Sequence, residues 1–187
     1  MFYIAIIAAA NVVIIIGNAL ITGAASLPEW LRVAAATLGG TAGVIAIDGV
    51  TAFLIRRLPE GWFSADRKIF SVSDSERRLY ARLGVKKWKS KVPELGGFSG
   101  FHKDKLQSPS DAAYLARFLL ESNYGVVIHL ANAVCGFGIA FLPFCRQPSL
   151  WIPIFLVNFV LSLLPVAILR YNTPVLMRLY GKRRDKQ

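Results

Sequence analysis

The chain has 187 residues, 55% of them hydrophobic and only 18% charged, yet it carries a formal net charge of +11. A soluble domain of this size breaks its apolar runs with charges every few positions, and the long uncharged runs here exclude that class. No zinc-finger, helix-turn-helix or RNA-binding motif accompanies the excess of Lys and Arg, so the charge points to membrane topology and anionic lipid and not to nucleic acid.

A helix needs about 20 apolar residues to cross a hydrocarbon core about 30 Å thick. No charged side chain occurs between Met1 and Pro28, and Asp48 is the only one between Arg32 and Arg56. Two more uncharged runs separate Glu121 from Arg146 and Arg146 from Arg170. The expectation is an all-α integral membrane protein, one membrane domain with spans at about 2–24, 33–55, 126–144 and 151–169. The first run has an alternative reading as a secretory signal, with Gly23, Ala24 and Ala25 as a cleavage site; no Lys or Arg precedes it, and its apolar stretch is longer than an ordinary signal core. Pro28 and Trp30 are placed in a short outer turn, and Gly39 and Gly43 have the spacing that lets membrane helices approach closely.

Residues 56–125 read as a cytoplasmic interfacial segment, interrupted by Pro59, Gly61, Gly84, Pro93, Gly96, Gly97 and Gly100. The last three glycines lack the spacing of a phosphate loop and are read as a turn. Ser73 followed by Glu76 predicts a short helix over 74–83. Trp62, Phe63, Phe70, Trp88, Phe98 and Phe101 alternate with basic residues, the pattern of a stretch lying in the headgroup layer. Ser108 as N-cap, with Pro109 and Asp111, predicts a short amphipathic helix through Leu120, and Ser122, Asn123, Tyr124 and Gly125 predict a break before span three. Pro153 and Pro165 predict kinks in span four, and residues 170–187 read as a basic tail. Cys135 and Cys145, ten residues apart in one predicted helix and therefore about 15 Å from each other, are expected to be free thiols. With one histidine nearby they do not form a metal site.

Thirteen Lys and Arg residues fall between positions 56 and 105 and six between 170 and 186, against Arg32 and Arg146 in the other two connections. Basic loops stay in the cytoplasm, so the expectation is a cell-membrane protein with both termini inside.

Ionisable side chains inside membrane helices are costly and mark functional candidates. Asp48, His129 and Glu121 qualify. Each also has a structural reading: His129 and Asp48 as hydrogen-bonding groups between helices, Glu121 as a solvated interfacial carboxylate. Arg170, Tyr171 and Asn172 at the predicted end of span four can bind phosphate or carboxylate. Lys86, Lys87, Trp88, Lys89 and Lys91 form a second anion-binding candidate, or a patch adhering to lipid.

These motifs in order resemble the glycosyl-4,4'-diaponeurosporenoate acyltransferase family, from about position 58 to 184. The resemblance rests on Leu58-Pro59-Glu60-Gly61-Trp62-Phe63, on Ile69-Phe70 with Glu76 and Tyr80, on Val85-Lys86-Lys87-Trp88-Lys89-Ser90-Lys91, on the spacing of Glu121 and His129, and on Arg170-Tyr171-Asn172-Thr173-Pro174-Val175-Leu176. Val126 and Leu130 replace a Glu and a Trp common in the family near the His, and Thr173 and Val175 replace basic residues that often flank the Pro. The resemblance implies transfer of a fatty acyl group from a thioester donor, acyl-CoA or similar, to a hydroxyl of a glycosylated lipid, possibly a carotenoid glycoside. His129 would be the general base, oriented by Glu121 or Asp48, and Arg170 with the Lys86–Lys91 cluster would hold donor phosphates or the oxyanion. No metal or tightly bound cofactor is implied; the partners are membrane lipids and a lipid substrate, with oligomeric state open. The alternatives are another lipid-modifying membrane enzyme, a methyltransferase or reductase, and a non-catalytic lipid-binding scaffold subunit. If charge sets orientation, tags at both termini and near Lys89 are protected from external reagents in intact cells; external labelling near Lys89 contradicts it.

Overall fold

The computed structural model describes residues 2–92 and 106–185. Pro93, Phe98, Phe101 and the turn expected at Gly96, Gly97 and Gly100 lie outside them. Six α-helices and no strand occur among the described residues: α1 (Phe2–Thr22), α2 (Leu27–Arg56), α3 (Asp74–Arg82), α4 (Val85–Trp88), α5 (Ala112–Cys135) and α6 (Pro148–Arg184). Four stretches are long and apolar enough to cross a membrane: residues of α1, α2, Ala112–Phe141, and α6.

The ends of these helices correct the sequence reading. α2 starts at Leu27, because the Glu29 carboxylate accepts from the backbone N–H groups of Ala25 (2.8 Å) and Ser26 (2.9 Å). Pro28 sits in that first turn, where its missing N–H costs nothing, so Pro28 and Trp30 are helical and not in an outer turn. α3 forms as expected, with Ser73 capping the Glu76 N–H at 3.2 Å. The cap of α5 is Asp111, which accepts from Ala113 N–H at 2.8 Å, while Ser108 closes a turn onto Asp111.

No break occurs at Ser122–Gly125: α5 runs through it. The short amphipathic helix and the start of span three are one helix, whose α-helical part ends at Cys135. Gly136–Phe141 and Pro143–Cys145 follow as 3-10 turns. Cys135 and Cys145 are both free, but they do not share a helix. α6 continues past Arg170 to Arg184, so the expected basic tail is helical and Arg170, Tyr171 and Asn172 are mid-helix.

The chain forms two compact units, Met1–Leu54 with Leu130–Leu163, and Ile55–His129 with Leu164–Gln187. In the first, Ile14, Val44, Ile139, Cys145, Leu150 and Ile154 form the core. The glycine face of α2 meets the 3-10 segment and α6: a Cβ on Gly40 would come 2.8 Å from Cys145 Sγ and 2.8 Å from Ile154 Cδ1, and one on Gly43 would come 2.9 Å from Leu142 Cδ1. In the second unit, Phe63, Phe70 and Tyr124 form one core cluster and Phe118, Leu119 and Leu176 another. Phe63 and Phe70, read from sequence as headgroup-layer aromatics, point inward, and Trp62 stays exposed.

Within the first unit, Asn158 Nδ2 donates to Asn132 O at 3.3 Å and to Asp48 Oδ1 at 3.4 Å. A Cβ on Gly136 would lie 2.5 Å from that same nitrogen. Gly136→Ala therefore displaces the Asn158 amide and is expected to cost about 1–3 kcal/mol, whereas Gly17→Ala, with nothing within 4 Å, is neutral or gains up to about 1 kcal/mol. Denaturation of both variants in detergent micelles checks the contrast.

Candidate functional site

The second unit gathers most of the ionisable residues that the sequence singles out. Its centre is Arg170. Placed mid-helix in α6, its guanidinium needs partners for N–H groups that have left bulk water. Nε donates to Glu76 Oε1 at 2.7 Å and Nη2 to Glu76 Oε2 at 2.6 Å, a two-pronged pair. Nη1 and Nη2 also reach the carbonyls of Phe70 (3.0 Å) and Ser71 (3.1 Å). Four hydrogen bonds thus tie α6 to α3 and to the segment before it. The pair is largely removed from water, with side-chain exposures of 14% for Arg170 and 22% for Glu76. Tyr80, one turn along α3, donates its hydroxyl to Glu76 Oε1 at 2.6 Å.

Burial pushes the Glu76 carboxyl up, but the hydrogen bonds from Arg170 and Tyr80 and the Arg170 charge outweigh it, and the group is held below its usual value. Burial, together with the Glu76 carboxylate as acceptor, pushes the Tyr80 hydroxyl up to about 12.

Beside this clamp the structure brings together three of the expected anion-binding residues. Lys89 Nζ donates to Asn172 Oδ1 at 2.8 Å and lies 5.1 Å from the centroid of the Tyr171 ring. Trp88 spends its indole N–H on Leu83 O, at 3.0 Å. Lys86 and Lys87 are exposed on α4 and have no carboxylate partner among the described residues.

Glu121, on α5, is held by two arginines: Arg56 Nη1 at 2.5 Å and Arg117 Nη2 at 2.9 Å. Arg117 also pairs with Glu60 at 2.8 Å, and the Arg56 guanidinium lies 4.9 Å from the centroid of the Tyr124 ring. Glu121 is therefore neither a free solvated carboxylate nor bound to His129. His129 lies eight residues further along the same unbroken helix, about 12 Å along its axis. It is half-buried and has no hydrogen-bond partner among the described residues. Asp48 belongs to the first unit, where Asn158 is its partner.

The residues that break α5 in the sequence reading are those that dock the preceding segment. Asn123 Nδ2 donates to Phe63 O at 2.9 Å, the Tyr124 hydroxyl to Leu58 O at 3.0 Å, and the Tyr124 ring stacks on Phe63 with centroids 3.9 Å apart. Sequence reasoning noted Glu76 as a helix-start residue and as part of a family motif, but missed its pairing with Arg170. The available signal was Arg170 itself, a cation followed by the apolar Val175, Leu176 and Met177, which demands a carboxylate elsewhere in the chain.

Comparison with known families adds one finding. The profile for glycosyl-4,4'-diaponeurosporenoate acyltransferase matches residues 59–182. The chain belongs to this family. The match covers about two thirds of the 187 residues, includes Glu76, Lys89, Glu121, His129 and Arg170, and leaves α1 and α2 wholly outside it. Membership makes the chain an acyltransferase. No curated protein and no solved structure matches it.

The clamp carries two expectations. Arg170→Lys keeps the charge but loses the planar fork, so it is expected to lower stability by about 1–3 kcal/mol in denaturation experiments in micelles. Because the folded Glu76 carboxyl sits below its unfolded value, its contribution is fully present above the usual glutamate range and is lost as pH falls through the lowered folded value. An acid titration of unfolding is expected to show this loss in the parent protein and not in Glu76→Gln; identical acid profiles contradict it.

Proposed function

We propose that this acyltransferase moves a fatty acyl group from a thioester donor to a hydroxyl of a glycosylated lipid, at the cytoplasmic face of the cell membrane. The observation that carries the reading is the family match over residues 59–182; within that stretch Glu76 binds Arg170, and Lys89 contacts the two residues that follow it, Tyr171 and Asn172. Multi-pass placement, with both termini inside, follows from the basic residues at 56–105 and 170–186.

In the proposed reaction the acceptor oxygen attacks the thioester carbonyl carbon, and a tetrahedral oxyanion forms. Its collapse makes the ester and expels the thiolate. His129 takes the hydroxyl proton as the C–O bond forms and returns it to the leaving thiolate, so the imidazole ends as it began. Support for this role comes from its ring, which is half-buried and without a hydrogen-bond partner among the described residues, so a ring nitrogen is open to an incoming hydroxyl. An unperturbed imidazole is mostly neutral at pH 7. Lys89, over Tyr171 and bonded to Asn172, supplies positive charge for a developing oxyanion. Arg170 acts as a positioning residue, since its guanidinium is already engaged by Glu76, Phe70 and Ser71. Glu121, neutralised by Arg56 and Arg117, fixes α5. Asp48 would serve in the first unit through Asn158.

The test is acyl transfer by purified protein in lipid nanodiscs, with labelled acyl-CoA and a glucosylated carotenoid acid as acceptor. His129→Ala is expected to lower product formation about 100-fold or more while the protein stays folded. Near-normal product from that variant removes His129 from the chemistry, and absence of any labelled lipid ester from the parent protein overturns the acceptor class.

A further inference from the structure

A second feature of the Ile55–His129 and Leu164–Gln187 unit is built on three arginines that take no part in the Glu76–Arg170 clamp. An open groove of about 450 Å³ runs between α3 and α6. Arg77 and Arg78 line it from α3 and Arg178 from α6, and all three side chains are exposed. Among the described residues the one carboxylate on the groove is Asp74, which meets Arg77 at 3.2 Å and is itself 80% exposed, a pair of little strength in water. Arg78 and Arg178 have no carboxylate partner among the described residues. Among the described residues, three guanidinium groups line the groove against one carboxylate, an excess of two positive charges.

The rest of the lining is not that of a merely solvated cationic face. Ala81, Pro174 and Val175 give it an apolar wall, and Val175 is 57% exposed. Tyr171 lines it as well. The Glu76–Arg170 pair ties together the two helices that form the walls, which presets their spacing before any ligand arrives. The volume falls within the range of small-molecule sites and exceeds what one phosphate group fills. Arginines that can each take two phosphate oxygens, set beside an apolar strip, suit an elongated ligand with several phosphates at one end and a mostly apolar arm.

We infer that the groove between α3 and α6 binds the phosphate-bearing nucleotide end of a coenzyme A thioester, with Arg77, Arg78 and Arg178 on its phosphates and the pantetheine arm along Pro174 and Val175. The inference rests on the proposed thioester donor and places its recognition on residues other than Arg170. The same arginine–phosphate chemistry would serve an anionic lipid headgroup, but a headgroup such as phosphatidylglycerol brings a single phosphate to three arginines.

Binding can be read without turnover. The full-length protein, in nanodiscs of zwitterionic lipid, is titrated with a non-hydrolysable thioether analogue of palmitoyl-CoA. Arg78→Gln/Arg178→Gln is compared with Arg82→Gln/Lys182→Gln, which removes the same charge from the same two helices outside the groove. The groove variant is expected to bind about tenfold or more weakly, and the control to stay within about threefold of the parent. The difference should shrink as salt rises from about 0.1 to 0.5 M. Equal affinity in the two variants overturns the inference, as does a parent protein that transfers acyl groups yet binds no analogue. A groove variant that loses affinity for phosphatidylglycerol nanodiscs and keeps it for the analogue also overturns it, assigning the groove to lipid. Loss of analogue binding in the groove variant, in a protein that makes no lipid ester, supports the groove assignment while defeating the acyl-transfer reading of the acceptor.

Discussion

An arginine inside a long helix of a membrane enzyme is tolerable only if its N–H groups are met, because an unpaired buried charge costs several kcal/mol and a well-paired one far less. Arg170 is met four times, twice by Glu76 and once each by the carbonyls of Phe70 and Ser71. That requirement organises the second unit. It pins α3 and the residues before it onto α6, which sets Tyr171 and Asn172 where Lys89 can reach them and holds apart the walls of the arginine-lined groove. Removing the pair would affect more than one contact, since the helices it joins share no large apolar face: α3, DSERRLYAR, is mostly polar and buries only Tyr80.

The apolar half of the same design lies on α5. Phe63, Phe70 and Tyr124 stack into one cluster, and Asn123 and Tyr124 satisfy carbonyls of a segment that has little regular structure to satisfy them. Two kinds of force therefore hold residues 58–70, aromatic burial at one end and the Arg170 fork at the other. The result is a folded unit that can hold side chains in fixed positions, as catalysis by positioning requires.

The first unit works under another constraint. α1 and α2 present rows of exposed apolar side chains, Ile4, Val13, Leu20, Leu38 and Phe53 among them, which suit lipid and cannot specify neighbours by hydrophobicity alone. Close approach at Gly40, Gly43 and Gly136, and the amides of Asn18 and Asn158, do that instead: Asn18 Nδ2 donates to Ser149 O at 2.9 Å, and Asn158 bridges Asn132 and Asp48. Polar groups are few here, and the amide nitrogens of Asn18 and Asn158 each reach across to another segment.

The sequence by itself determined what solvation and local chemistry decide. Uncharged runs longer than a bilayer is thick made the helices with the dimensions of membrane spans legible, a capping serine marked the start of α3, and the order of short motifs marked the family. What it could not show depended on partners far along the chain. Ser122–Gly125 have the composition of a helix break, yet α5 continues because Phe63, Leu58 and Leu169 supply contacts that outweigh weak local propensity. Arg170 and Asn172 were visible as anion binders, but only the tertiary structure decided that Arg170 serves Glu76, 94 residues away in sequence, and that Asn172 serves Lys89, 83 residues away. The reason is physical: burial and hydrophobic length are properties of a segment, whereas the partner of a charge is a property of the fold that brings two segments together.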